Sequence, residues 1–207
     1  MFQNREEAAE RIADRLEHYR GRRPLVLAIP RGGVPMGQIV ADRLDGELDI
    51  VLVHKIGAPG NPEFAIGSVD ETGHVELSDA AGRYGISQEH IDGEAERQLE
   101  RLRERRQRYR REPSPPGGRV AILVDDGVAT GATLLAAIRS VKAQNPERLV
   151  VAVGVAPPQT ARRIRDEVDE LVCLETPADF MAVGQFFRDF RQVEDDEVVR
   201  ALKGSSP

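Results

Sequence analysis

Asp125 and Asp126 stand side by side in the run Val120 to Thr133. The residues after them, Gly127, Val128, Ala129, Thr130, Gly131, Ala132 and Thr133, carry no side chain larger than valine. Paired carboxylates accept hydrogen bonds from vicinal hydroxyls, as on a ribose. The glycines and alanines let backbone N–H groups approach a phosphate closely, and the threonine hydroxyls add donors. A second stretch, Arg31-Gly32-Gly33, offers open amides and a guanidinium fork that matches phosphate oxygens. Lys55, one of only three lysines in a chain whose other basic side chains are arginines, closes an apolar run and supplies a compact charge. Taken singly, each feature is ordinary: acids cap helices, glycines turn chains, arginines sit in solvent. Together they point to phosphate binding beside a polyol. Val120 to Thr133 has neither the Gly-x4-Gly-Lys of a P-loop nor the Gly-x-Gly-x-x-Gly of a dinucleotide fold.

These residues need a frame that brings them together. Leu25–Ile29, Leu48–Val53, Val120–Val124, Arg148–Val155 and Glu170–Leu174 are nearly continuous apolar runs, the pattern of strands buried on both faces. Met36–Leu44, the stripe Leu134, Leu135, Ile138, Val141, and Gln159–Val168 read as intervening helices. Such alternation predicts an α/β fold, a parallel sheet flanked by helices. Both glycine-bearing loops then lie at carboxyl ends of strands and before helix N-termini, where open α/β sheets bind ligands.

Four segments stand outside this frame. Asn4 and Glu7 predict a capped helix carrying Ala8, Ile12, Leu16 and Tyr19, a covering helix and nothing more. Ile56 to Pro62 is rich in turn formers and is expected to be exposed and mobile, and Phe64 to Leu77 predicts a hairpin around Asp70-Glu71-Thr72-Gly73. Ser87 to Glu112 reads as a long helix with a thin stripe of Ile91, Ala95, Leu99 and Leu102. Its arginines at 97, 101, 103, 105, 106, 108, 110 and 111 alternate with glutamates. It is expected to cross solvent or to pack on a second copy, giving a homodimer, with RNA binding as the sharper alternative. The residues from Thr176 to Phe190 concentrate four of the six phenylalanines, and core packing accounts for most of them. The layout expected is a single domain over 1–207: a core of about 21–62 and 119–175, a hairpin and long-helix insertion of about 63–118, and a C-terminal hood of about 176–203.

Composition narrows the classes. With 207 residues, 40% apolar and 31% charged, the chain can bury a substantial core. A formal net charge of −6 argues against a surface devoted to nucleic acid. One cysteine, Cys173, cannot form an internal disulfide and suits a reducing, cytoplasmic setting as a buried structural thiol. No run approaches the roughly 20 apolar residues of a membrane span, and the polar start lacks a signal peptide's apolar centre.

Val-Asp-Asp-Gly-Val-Ala-Thr-Gly-Ala-Thr, residues 124–133, resembles the phosphoribosyl-pyrophosphate signature of the type I phosphoribosyltransferases. The Pro30-Arg31-Gly32-Gly33 loop is similar to the one members use for pyrophosphate, often with a non-proline cis peptide, expected here around residues 30–32. The resemblance implies that Asp125 and Asp126 hold the ribose hydroxyls and that the donor lies along Gly127 to Thr133, with residues 129–133 around its 5′-phosphate. It also implies that Arg31, Gly32, Gly33 and Lys55 receive pyrophosphate, so that Asp125, Asp126, Lys55 and Arg31 carry the catalysis. Mg²⁺ would be held mostly through substrate oxygens and water, with Asp125 and Asp126 in support. Phe180, Val183 and Gly184 match, loosely, a run where purine-using members stack the acceptor base, and the hairpin matches their lid. The reaction implied is Mg²⁺-dependent displacement of pyrophosphate from phosphoribosyl pyrophosphate by a small-molecule acceptor, with nitrogen as the expected nucleophile. Two departures stand out. His54 replaces an arginine found before the equivalent of Lys55, and Ala129 replaces the aspartate that hypoxanthine-type members aim at the base, leaving Asp179 or Glu63 as candidate bases. The competing reading is a non-catalytic sensor of the sugar phosphate that binds RNA or protein through the arginine-rich helix; a weaker one is a phosphoribosyl hydrolase.

Overall fold

A computed structural model of the chain describes residues 1–109 and 112–204. In order, α1 (Arg5–Leu16) leads to β1 (Leu25–Ala28), α2 (Gly33–Arg43), β2 (Glu47–Ile50), β3 (Val53–Ala58), β4 (Asn61–Asp70), β5 (Val75–Leu77), α3 (Asp79–Arg83) and α4 (Gln88–Tyr109). Then come β6 (Val120–Gly127), α5 (Ala132–Ala143), β7 (Arg148–Val155), α6 (Pro158–Arg165), β8 (Glu170–Glu175) and α7 (Asp195–Gly204). Five strands form one sheet in the order β2-β1-β6-β7-β8, with every neighbouring pair parallel.

The apolar runs are continuous because both faces of this sheet are covered. Val26, Ala28, Ile122, Val124, Val150 and Ala152 point to the face that α1 and α2 bury; Leu25, Leu27, Ala121, Leu123, Val151 and Val153 point to the face covered by α5 and α6. The order reverses between β1 and β6. From β1 the chain passes through α2 outward to β2, and from β6 through α5 to β7 on the other side. The loops leaving these two strands therefore diverge and open a crevice between them.

The insertion differs from its expectation. Leu48–Val53 is not one strand: after β2 the chain changes sheets, and Val53 begins a separate antiparallel sheet of order β3-β4-β5. The segment expected to be a mobile loop after Lys55 is the end of β3, a tight Pro59-Gly60 turn with Gly60 at φ +72°, and the start of β4, with Ala58 paired to Asn61. The second turn forms as expected. Asp70 organises it, its Oδ1 accepting from Thr72 N, Thr72 Oγ1 and His74 N, while Oδ2 accepts from Ser140 Oγ of α5.

The long helix neither crosses solvent nor waits for a partner along the face it buries. Ile91, Ala95, Gln98, Leu102, Arg106 and Tyr109 of α4 are buried against the rest of the chain. Arg106 donates to Asp49 Oδ1 at 2.7 Å, Glu71 Oε2 at 2.5 Å and Ile50 O at 2.9 Å, which fastens the insertion to β2. The expected Arg110 and Arg111 lie outside the described residues. At the chain's opening, Asn4 caps α1 by accepting from Glu7 N, and Phe2 forms a bridge with Phe187.

Candidate active site

The crevice between β1 and β6 collects the two glycine-bearing loops. Ile29 N donates to Val124 O at 2.9 Å, so the strand ends remain in register up to the first residue of each loop. Asp125 and Asp126 lie within the last residues of β6, not beyond it: Asp125 is still paired with Val153 and Gly127 with Val155. The Pro30–Arg31 peptide bond is cis, as the resemblance implied. Two glycines allow the close approach here, Gly33 against main chain and Gly32 against the Asp126 side chain. A Cβ on Gly33 would lie 2.5 Å from Val124 O, and one on Gly32 only 2.1 Å from Asp126 Oδ2. The arginine loop therefore rests directly on the acid pair.

Burial governs the two carboxyls. It pushes Asp125 well above the usual carboxylate range, and the neighbouring Asp126 charge adds to the effect. Asp126 is raised by burial too, with Arg5 pulling in the opposite direction. Arg5 Nε donates to Asp126 Oδ2 at 2.8 Å, with the two side chains only 12% and 11% exposed. This corrects the expectation that α1 merely covers the core, since its first residue enters the crevice. A local signal for it existed: a cation at the first position of a helix opposes the dipole and asks for a partner elsewhere.

The loop after the acids is held by contacts with β7 and α6. Val128 N donates to Val155 O, Thr160 Oγ1 donates to Ala129 O, and Gly131 takes φ +83° at the start of α5. Ala132 and Thr133 then line a cleft of about 540 Å³, whose other walls include His54, Lys55, Ser68, Arg139 and Arg163. Lys55, in β3 opposite Ser68, thus shares a cleft with the threonine end of the loop; Arg31 is not among its walls. The Arg31 guanidinium instead lies 3.8 Å from both Glu194 Oε2 and Asp195 Oδ1, at the start of α7.

The C-terminal segment reaches the same crevice. A Cβ on Gly127 would lie 2.6 Å from Val183 Cγ1, which puts Val183 against the residue that follows the acid pair. Gly184 packs on the Phe190 ring, and Phe180 stacks on Phe186 with centroids 5.6 Å apart, so one face of Phe180 is covered from within. Asp179 is exposed, and its carbonyl accepts from Gln185 Nε2; the Glu63 side chain lies outside the described part of the structure. Cys173 is half-buried in β8, where burial pushes its thiol up to about 11, the behaviour of a structural group. No cluster of three or more His, Cys, Asp or Glu side chains suited to a metal occurs among the described residues. The carboxylates of Asp125 and Asp126 are hard oxygen donors of the kind that would support a Mg²⁺ carried on phosphate oxygens and water.

The model of the phosphoribosyl transferase domain matches residues 2–190. The chain belongs to the phosphoribosyl transferase family. It is 41% identical over 205 residues to a Mycobacterium tuberculosis protein named "Putative phosphoribosyl transferase Rv0571c". That match takes in 98% of this chain but 46% of the relative, so the chain spans about half the length of the curated relatives it matches. Among solved structures, TT1426 from Thermus thermophilus superposes with a TM-score of 0.91 at 45% identity, covering 100% of this chain and 99% of that one. A purine phosphoribosyltransferase from Pyrococcus horikoshii shares the fold, with a TM-score of 0.50 at 16% identity and 92% of each chain covered. No helix among the described residues is long and apolar enough to cross a membrane.

Proposed function

We propose that this phosphoribosyl transferase family member moves the phosphoribosyl group from phosphoribosyl pyrophosphate to a nitrogenous small-molecule acceptor and releases pyrophosphate. The observation that carries the reading is the meeting of two anion-suited loops on one sheet edge, with Gly32 and Gly33 packed on Asp126 and Val124. In this reading Asp125 and Asp126 accept hydrogen bonds from the ribose hydroxyls, while the amides of residues 129–133 and the threonine hydroxyls take the 5′-phosphate. Arg31 and the Gly32 amide face the departing pyrophosphate, and Gly33, whose N–H donates to Ile29 O, lets the loop sit close to β6. Lys55 shares a cleft with Thr133, so this reading moves it from the pyrophosphate to the 5′-phosphate end of the donor. The acceptor nitrogen bonds to C1 as the bond from C1 to the pyrophosphate oxygen breaks, its N–H proton passes to solvent, and the charge developing on the sugar lies beside two buried carboxylates. Mg²⁺ on the pyrophosphate would offset its charge as it leaves.

The acceptor would lie under the C-terminal segment, against Val183, Gly184 and the open face of Phe180. The test is a pyrophosphate-release screen across nucleobases with Mg²⁺, run beside an Asp125→Asn, Asp126→Asn double variant. Release with one acceptor that the double variant abolishes supports the transferase. Donor binding with no release for any acceptor supports a sensor instead.

A further inference from the structure

Arg5 is the one charged side chain in the described crevice that comes from the amino-terminal segment, and it touches three separate parts of the chain. Nε donates to Asp126 Oδ2 at 2.8 Å, and Nη1 donates to Arg191 O at 2.7 Å. The guanidinium lies over the Phe190 ring, 3.9 Å from its centroid. Nη2 is 3.4 Å from the point a Gly32 Cβ would occupy, so the group also borders the arginine loop. The segment bearing Arg5 is itself sewn to the hood. Phe2 N donates to Phe186 O, Arg188 N to Phe2 O and Asp189 N to Gln3 O, and Phe2 packs on Phe187.

We propose that Arg5 is a positioning residue for the sugar-hydroxyl carboxylate: it fixes the orientation of Asp126 and makes that orientation depend on the docked amino- and carboxy-terminal segments. The inference rests on the ribose assignment of the acid pair made above. A carboxylate has about four lone-pair sites, so one guanidinium N–H on Oδ2 holds its plane while leaving acceptor capacity for hydroxyls. Only an arginine has donors forked widely enough to serve Asp126 and Arg191 O together while lying flat on a ring. Lysine keeps the charge and loses the fork.

The test is calorimetric binding of three probes: ribose 5-phosphate, 2-deoxyribose 5-phosphate and inorganic pyrophosphate, to the wild-type chain and to the Arg5→Gln and Arg5→Lys variants. Wild type is expected to prefer ribose 5-phosphate to the deoxy sugar by about tenfold, the worth of one charge-assisted hydrogen bond. Arg5→Gln should erase that preference and leave pyrophosphate binding unchanged, with Arg5→Lys between the two. Should Arg5→Gln fail to fold, Phe190→Leu removes the ring beneath the guanidinium, keeps an apolar filler, and should narrow the same preference. Preference retained in full by the variants overturns the inference and leaves Arg5 as packing. A wild-type chain indifferent to the 2-hydroxyl overturns the ribose assignment itself, and the role of Arg5 with it.

Discussion

Replacing Arg106 by methionine asks whether α4 is built into the fold or only lies along it. The guanidinium is 9% exposed and stands between Asp49, 1% exposed, and Glu71, 11% exposed. Methionine fills much of the same channel but leaves the two carboxylates facing each other without the cation between them. Breaking a buried ion pair from one side costs about 3–5 kcal/mol. For a chain of this size each kcal/mol lowers Tm by roughly 2–4 °C, so the expected loss is about 6–20 °C in a calorimetric scan. The double variant Arg106→Met, Glu71→Gln removes one of the stranded charges and should recover part of the loss. A fall of less than about 3 °C in the single variant would refute the reasoning, because that is what an exposed ion pair yields. Such a result would also return α4 to the role of a peripheral helix.

Further outcomes follow from contacts already described. Gly32→Ala drives a methyl to within 2.1 Å of Asp126 Oδ2 and should weaken donor binding about tenfold or more by calorimetry, whereas Gly82→Ala, with nothing within 4 Å, should raise stability by up to about 1 kcal/mol. Ser140→Ala removes the 2.5 Å bond to buried Asp70 and should lower urea-unfolding stability by about 1–3 kcal/mol with no change in m-value. Tyr19, buried and donating to Glu170, has its hydroxyl pushed up to about 12 from 10.0, chiefly by burial. Because the folded state holds this proton more tightly, the linked stability is complete below pH 10 and is lost as pH rises from 10 towards 12. Tyr19→Phe should flatten that part of the Tm-against-pH curve.

Much of the frame was legible because it is written in local patterns. β7 occupies the whole predicted run Arg148–Val155, and β1, β6 and β8 fall within a few residues of theirs, since two-sided burial leaves an unbroken apolar signature. The same signature misled at Leu48–Val53. Val51 and Leu52 are buried where the chain leaves one sheet for another, and hydropathy cannot distinguish a strand from a buried crossing. The loops at Arg31 and Asp125 were visible through their glycines. Arg5 showed only as a cation at a helix start; which group it pairs with was not legible, because that partner lies 121 positions away and no periodicity reaches that far. Arg106 was hidden differently: it is one of eight arginines of like appearance between 97 and 111, and only the packing of α4 on β2 and the hairpin singles it out. Lys55 was found by type, yet its neighbours depend on how β3 pairs with β4.

The hydrogen bond from Ile29 N to Val124 O makes the spacing of the two loops a property of the main chain. Neighbouring strands sit about 4.8 Å apart, and no change of side chain alters that interval. The separation of residues 29–34 from 124–133 is therefore set by strand pairing, whatever side chains the two loops carry. Sequence change in these loops can alter what they bind and leave the distance between the two binding points as it is.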